Sequence, residues 1–275
     1  MTDLYQLLDE PDLENPAVVL ALSGWVDAGG SGTGAAEFLA QEGTPLVEFN
    51  SDAMFDYRAN RPTVRFREGR MTEVEWPQLT MYRRRLEERD LLVLVGNEPD
   101  FKWKAFAEAV VDLMDRLGAE LILTIGAVPA AVPHTYPPPV MMTASSDELV
   151  GSDDVALGDD LDVPGAAVNV VAEAAVRRGK GTVGYWAQIP HYVNDHYHAG
   201  VLALIRRVAL RLDLELDTAG LVTKSSEQAA QIDELISSRP ENEAHVKKLE
   251  MLAEEGRLAT GDELAAEIER FLNDS

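Results

Sequence analysis

The chain has 275 residues and no cysteine. Disulfides, thiolate metal sites and a cysteine nucleophile are therefore excluded. The absence fits a reducing compartment. No apolar run approaches the roughly 18 residues of a membrane span. The first residues, MTDLYQLLDEPDLENP, are acidic and lack the basic start and apolar core of a signal peptide. A cytoplasmic protein without a membrane partner is expected. Positive charge is also scarce: 24 basic residues face 48 acidic ones, for a formal charge of −24. Such a surface repels phosphate backbones, so nucleic acid is not an expected partner. Lysine is missing before Lys102, and the nine basic residues ahead of it are all arginines between Arg58 and Arg89. Two readings are open for them. They occupy solvent-facing strand positions paired with acids, or they form an anion-facing or interface surface.

Several catalytic signatures are missing too. There is no His-Glu-x-x-His metalloprotease pattern and no Gly-x-Ser-x-Gly elbow. A phosphate-binding P-loop would need lysine and then serine or threonine after its last glycine, but Ala35-Ala36-Glu37 stands there. The run Asp147 to Asp162 holds seven acids and no base, and its part from Ser152 to Asp162 lacks the alternate-position spacing of a calcium loop. A solvated loop is the better reading. No cofactor and no metal are expected.

What is present is a strand, loop and helix pattern. At this length the chain is one large domain or a domain with an appendage, able to bury about 75% of its unfolded surface. Apolar Ala17 to Leu22 runs into a turn with five glycines between Gly24 and Gly34, then a helical pattern from Gly32 to Gln41. The lead-in residues Leu4, Leu7 and Leu8 suit a short helical turn or a docking segment. Pro45 to Phe49 reads as a strand. Thr63 to Phe66 and Met71 to Trp76 alternate around Arg67-Glu68-Gly69-Arg70, which predicts a hairpin with Val64, Phe66, Val74 and Trp76 on one side. Leu91 to Val95 and Leu121 to Ile125 are short apolar strands of the type buried in parallel sheets. Between them, Asp100 is the expected N-cap of a helix over 101–117. The proline-rich AVPAAVPHTYPPPV is expected to be irregular. A further strand at 141–144, a helix over 164–178, a strand at 182–189 and a helix over 199–212 complete an alternating order.

The expected fold class is α/β: a mixed, largely parallel sheet flanked by helices, with an inserted β-hairpin. The core domain is placed at 1–220. Residues 221–275 are expected to form a helical extension. A capping box at Ser225 and Gln228 would start its first helix, and Pro240 its second. Gly256 would close that second helix. A further box at Thr260 and Glu263 would start a third.

The candidate ligand-binding residues lie on three loops. In the glycine turn they are Gly24, Asp27, Gly29, Gly30, Ser31 and Thr33. Gly30-x-Gly32-x-x-Ala35 formally matches a dinucleotide fingerprint, but it sits too far beyond its strand. The helix start could take an anion through its amides, or the turn simply allows close packing. Asp27 itself suits a cap for the following helix. The proline-rich loop contributes His134. The segment PHYVNDHYHAG contributes His191, Asn194 and His196. Such residues either line a polar loop or hold a metal, and the first reading is preferred.

Four segments occur together and in order: SGWVDAGGSGTGA, LVGNEPD, LTIGAVPAAVPHT and IPHYVNDHYH. With them the chain resembles the proteasome assembly chaperone two family, in its actinobacterial-type branch, over most of residues 10–255. The resemblance implies a fold similar to nucleoside phosphorylases and hydrolases of that type. It implies a homo-oligomer, a trimer being one such form, and proteasome subunits or another cytosolic protein as partner. Eukaryotic relatives act as non-enzymatic chaperones and can dock through a terminal hydrophobic–tyrosine–any tripeptide. The final Leu272-Asn273-Asp274-Ser275 does not supply one. The first functional reading is a non-enzymatic assembly or interaction protein. The alternative is a phosphate- or nucleoside-type binding protein or enzyme using the loops at the strand ends.

Overall fold

The structure is a computed structural model in which residues 4–158, 161–193 and 196–255 are described. In chain order the elements are β1 (Tyr5–Leu7), β2 (Ala17–Ser23), α1 (Ser31–Ala40), β3 (Thr44–Phe49), α2 (Ser51–Met54), β4 (Thr63–Arg67), β5 (Arg70–Glu75), β6 (Leu79–Arg85), β7 (Asp90–Asn97) and α3 (Trp103–Leu117). They continue with β8 (Leu121–Ala130), β9 (Val140–Ala144), β10 (Val155–Ala156), α4 (Ala167–Arg177), β11 (Gly181–Pro190), α5 (His198–Leu212), α6 (Ala219–Ser237) and α7 (Pro240–Glu254).

Nine strands form one sheet in the order β1-β3-β6-β7-β2-β8-β11-β9-β10, and β4 and β5 form a separate hairpin. β2 runs parallel to both β7 and β8, as its apolar neighbours imply. The expectation of a largely parallel sheet needs correction, because β1–β3, β3–β6 and β6–β7 are all antiparallel. The sheet is mixed. The reversed strands are β1 and β6, and in β6, LTMYRRR, the buried Leu79 and Met81 are followed by three arginines. The lead-in segment is likewise a three-residue edge strand rather than a helical turn. Tyr5 pairs with Phe49 there and its ring lies against it.

The chain groups into two compact units. One contains Met1–Trp25, Ala36–Ile125 and Met142–Gly184; the other contains Val26–Ala35, Gly126–Met141 and Tyr185–Ser275. In the first unit α3 packs on α4. Phe106, Val110 and Leu113 are fully buried on α3, as are Val168, Val171 and Ala175 on α4. Gly118, with φ 72°, ends α3. Asp100 does not cap that helix: it accepts from the Asp56 amide at 2.7 Å and from Asn60 at 2.8 Å, fastening the loop before the hairpin. Lys102 occupies the cap position without a side-chain bond.

Also in the first unit, Asp90 is fully buried. Its carboxylate accepts from Arg83 Nε at 2.7 Å, from Arg85 Nη1 at 2.9 Å and from the Glu14 amide at 2.7 Å. Burial would push this carboxyl up, but the two guanidinium groups and the amide outweigh it and hold the group below its ordinary value.

In the second unit α5 packs on α6 and α6 on α7. Val201, Ile205, Val208 and Leu212 supply the buried stripe of α5. The predicted helix start at Ser225 is corrected: α6 begins six residues earlier, so Ser225 and Gln228 lie inside it. Pro240 does open α7. The predicted stop at Gly256 and the third helix fall outside the described residues. β8 also runs beyond Gly126 to Ala130, so the proline-rich segment is irregular only after that point.

Candidate functional site

The glycine turn is ordered around Asp27. One carboxylate oxygen accepts from the Gly32 amide at 2.7 Å and the Thr33 amide at 3.0 Å. The other accepts from the Thr33 hydroxyl at 2.6 Å. Asp27 is thus the cap of α1, and it occupies amides that an external anion would otherwise find. Its backbone bridges Ala127 in parallel, and the Ala127 amide donates to the Val26 carbonyl at 2.7 Å. Burial pushes the Asp27 carboxyl up, while the Thr33 and Gly32 bonds and the nearby His196 oppose that rise.

The segment His196–Gly200 lies on this turn. The Tyr197 amide donates to the Gly29 carbonyl at 2.8 Å. Gly30 has φ +54°, and a β-carbon there would come 2.5 Å from His196 Nδ1. Ser31 is fully buried, and a β-carbon on Gly200 would collide with its hydroxyl oxygen. Glycine at 30 and 200 is therefore what lets α5 start against the turn. Gln228 locks the same place: its side-chain oxygen accepts from the His198 amide at 2.9 Å, and its nitrogen donates to the His196 carbonyl at 2.5 Å.

His134 and His191 belong to a second cluster in the same unit. His134 is buried. Its amide donates to the Tyr192 hydroxyl oxygen at 2.9 Å. Its Nδ1 is also 2.9 Å from that oxygen, and its Nε2 is 3.0 Å from Asp233. Because the tyrosine oxygen already accepts from the amide, the consistent arrangement has the Tyr192 hydroxyl donating to Nδ1 and the ring N–H at Nε2, facing Asp233. His191 stacks edge-on against Tyr192 at 5.4 Å and against His245 at 5.3 Å. Burial raises the Tyr192 hydroxyl well above its usual range. Thr135 donates to Glu250 at 2.6 Å and Tyr136 to Glu254 at 3.0 Å. α6 and α7 thereby hold the proline-rich loop from both helices.

The candidate residues thus separate. Asp27, Gly29, Gly30, Ser31, Thr33 and His196 come together at the start of α1. His134 and His191 come together around Tyr192. Asn194 lies outside the described residues. Gly24 belongs to the other unit, where a β-carbon would meet Glu98 Oε2 at 3.0 Å. Glu98 in turn accepts from the Ala167 amide at 2.7 Å and so caps α4. Sequence reading missed Tyr192, Asp233, His245 and Gln228. Tyr192 stands inside the histidine segment, Gln228 was read only as half of a capping box, and Asp233 and His245 come from helix faces that gave no chemical signal. Among the described residues, no group of three or more His, Cys, Asp or Glu is placed to hold a metal ion, and no helix is long and apolar enough to cross a membrane.

Comparison with known proteins now adds what geometry alone does not. The model of the PAC2 family matches residues 21–236. The chain belongs to the PAC2 family. A Corynebacterium glutamicum protein of unknown function is similar in structure, with 30% identity and a TM-score of 0.85, over 92% of this chain and 97% of that one. A Mycobacterium tuberculosis protein of unknown function shares 32% identity at a TM-score of 0.86, over 92% and 90%. A second protein of that organism, described as a proteasome-assembly chaperone homologue, shares 31% identity at a TM-score of 0.77, over 84% and 99%. No functionally curated protein matches the chain.

Proposed function

We propose that this PAC2-family chain is a non-enzymatic assembly or interaction protein that works on proteasome subunits or another cytosolic protein. The observation that carries the reading is the 31% identity, over 84% of the chain, to a proteasome-assembly chaperone homologue. The site geometry favours it as well, since the Asp27 carboxylate is committed to the amides of its own helix. The chain acts in the cytoplasm as a homo-oligomer, a trimer being the form to test first. Its 1–220 core carries 221–275 as a helical extension.

The test is reconstitution. Purified proteasome α-subunits from the same source are mixed with the chain, and complex formation and the rate of core-particle assembly are followed by size exclusion. Co-elution with faster assembly is the expected result. No complex and no change in rate would overturn the reading.

A second reading rests on Asp27 and His196. Here the loop cluster, in a phosphorylase-like fold, binds a phosphate- or nucleoside-type ligand at Gly29, Gly30, Ser31, Thr33 and Asp27. Native-state ligands raise the melting temperature by mass action. A rise with phosphate, nucleosides or nucleotides that is lost in Asp27→Ala supports it, and a flat panel removes it.

A further inference from the structure

The β4–β5 hairpin is built unlike the rest of the chain. Glu68 and Gly69 both take positive φ, 50° and 74°, which makes a two-residue turn of the kind that matches strand twist. Val64 pairs with Val74 and Phe66 with Met71, the register shifting between Arg65 and Phe66. The shift adds Met71 to the predicted apolar face. Much of that face is open to solvent: Val64 is 42% exposed, Phe66 62%, Met71 62%, and Trp76, resting edge-on against the Tyr57 ring, 45%. Around it the charge reverses. Residues 57–72 contain five arginines and one acid, in a chain of net charge −24. Arg58 is paired with Asp56, and Arg65 with Glu73 and Glu75. Arg61, Arg67 and Arg70 make no ion pair among the described residues.

The complement to this patch lies on the same chain. β10 forms the last edge of the nine-stranded sheet, and both its residues are exposed. The sequence from Asp147 to Asp162, of which β10 is part, has seven acids and no base. It also exposes apolar side chains, with Val155 at 52%, Leu161 at 59% and Val163 at 64%. An open edge with exposed apolar groups invites pairing with another chain. The hairpin leads into β6, third from the opposite edge, so the two patches lie far apart across the sheet. Two copies at −24 repel one another everywhere except where a basic surface meets an acidic one.

We infer that the hairpin of one copy docks on the acidic β10 edge of a second copy, in a head-to-tail contact. Val64, Phe66, Met71 and Trp76 supply the apolar centre. Arg67 and Arg70 face Asp147 and Glu148 at the rim. Such a heterologous contact generates rings when the rotation closes. The inference deepens the oligomer proposed above and does not depend on any proteasome partner, because it is read on the isolated chain.

Sedimentation of the full chain tests it. The wild-type chain self-associates, and raising salt from ~50 mM to ~500 mM weakens association about tenfold or more, since rim charges are screened within a few ångströms at high salt. Arg67→Glu with Arg70→Glu, and separately Asp147→Arg with Glu148→Arg, each weaken it at least about tenfold. A one-to-one mixture of the two variants restores association that neither shows alone. Melting curves within a few degrees of wild type establish that both variants fold. A wild-type chain that stays monomeric, an acidic-edge variant that self-associates like wild type, or a mixture of folded variants that stays apart overturns the inference. The salt titration needs no variant and tests the contact even if one fails to fold.

Discussion

Two groups of arginines from one stretch of sequence meet opposite fates. Arg83 and Arg85, on β6, close over a carboxylate that solvent does not reach. Arg67 and Arg70, fifteen residues or so earlier, face each other across the hairpin end without an ion pair among the described residues. Residue type is the same in both places. The difference is the acid: Asp90 opens β7 directly opposite Arg85, while the hairpin tip offers only Glu68. A guanidinium becomes structural where an antiparallel register brings a buried carboxylate to it. Where the register brings a second guanidinium instead, it is left for an outside partner.

The largest test of this contrast is Asp90→Ala. It leaves two guanidinium groups and the Glu14 amide without their acceptor, and should cost about 3 kcal/mol in denaturant unfolding. A loss comparable to that of an exposed charge would mean the arginines do no more on β6 than on the hairpin. A carboxylate of intermediate burial sharpens the scale. Asp27→Ala removes the cap of α1 and should cost about 1–2 kcal/mol. Asp27→Asn keeps an acceptor without a charge to desolvate, and should stay within about 0.5 kcal/mol of wild type.

Acidity separates the same two carboxylates by sign. Asp90 is held below its ordinary value, so its contribution is present above the unfolded carboxylate range near ~3.9 and is lost as pH falls through the folded value. Asp27 is raised, so its ionisation in the folded state costs stability as pH rises from the unfolded value through the folded one. Urea midpoints of Asp90→Asn and Asp27→Asn, measured against pH, should therefore depart from wild type in opposite directions. Departure in the same direction would show that one assignment is reversed. The smallest expected effect is at the hairpin tip, where Arg67→Ala or Arg70→Ala should change stability by no more than about 0.5 kcal/mol. A larger loss would show that these side chains already have a partner in the monomer.

Much of this architecture was legible, and the exceptions share a cause. β2, β7 and β8 announce themselves by their apolar runs 17–22, 91–95 and 121–123, and α3, α4 and α5 because their buried positions recur at helical spacing. β6 was not legible because its run of three arginines, two of which serve Asp90, masks the buried Leu79 and Met81. The hairpin was read in place, but the bulge that turns Met71 to the apolar face leaves no mark in a two-residue alternation. Asp27 could be recognised as a cap from its distance to the helix. Asp100 had the same local signature and a different use, because its partners, Asp56 and Asn60, lie 44 and 40 residues upstream. Gln228 looked like a capping residue and bonds instead to His196 and His198. His134 and His191 were named as candidate ligand residues, and the structure groups them around Tyr192, which the sequence reading did not single out.

Glu98 is a small feature with a consequence for how the chain reaches this fold. Its amide donates to Ser23, and its carboxylate accepts from Ala167, 69 residues further on. The bond therefore closes a long loop, whose entropic cost must be met before the bond gives anything back. Contacts of that separation are expected to form after the barrier. Glu98→Ala should then leave the refolding limb of a chevron nearly unchanged and steepen none of it, while unfolding speeds up. The carboxylate at the end of β7 acts as a latch on a structure already assembled, and its removal shortens the life of the folded state more than it slows its formation.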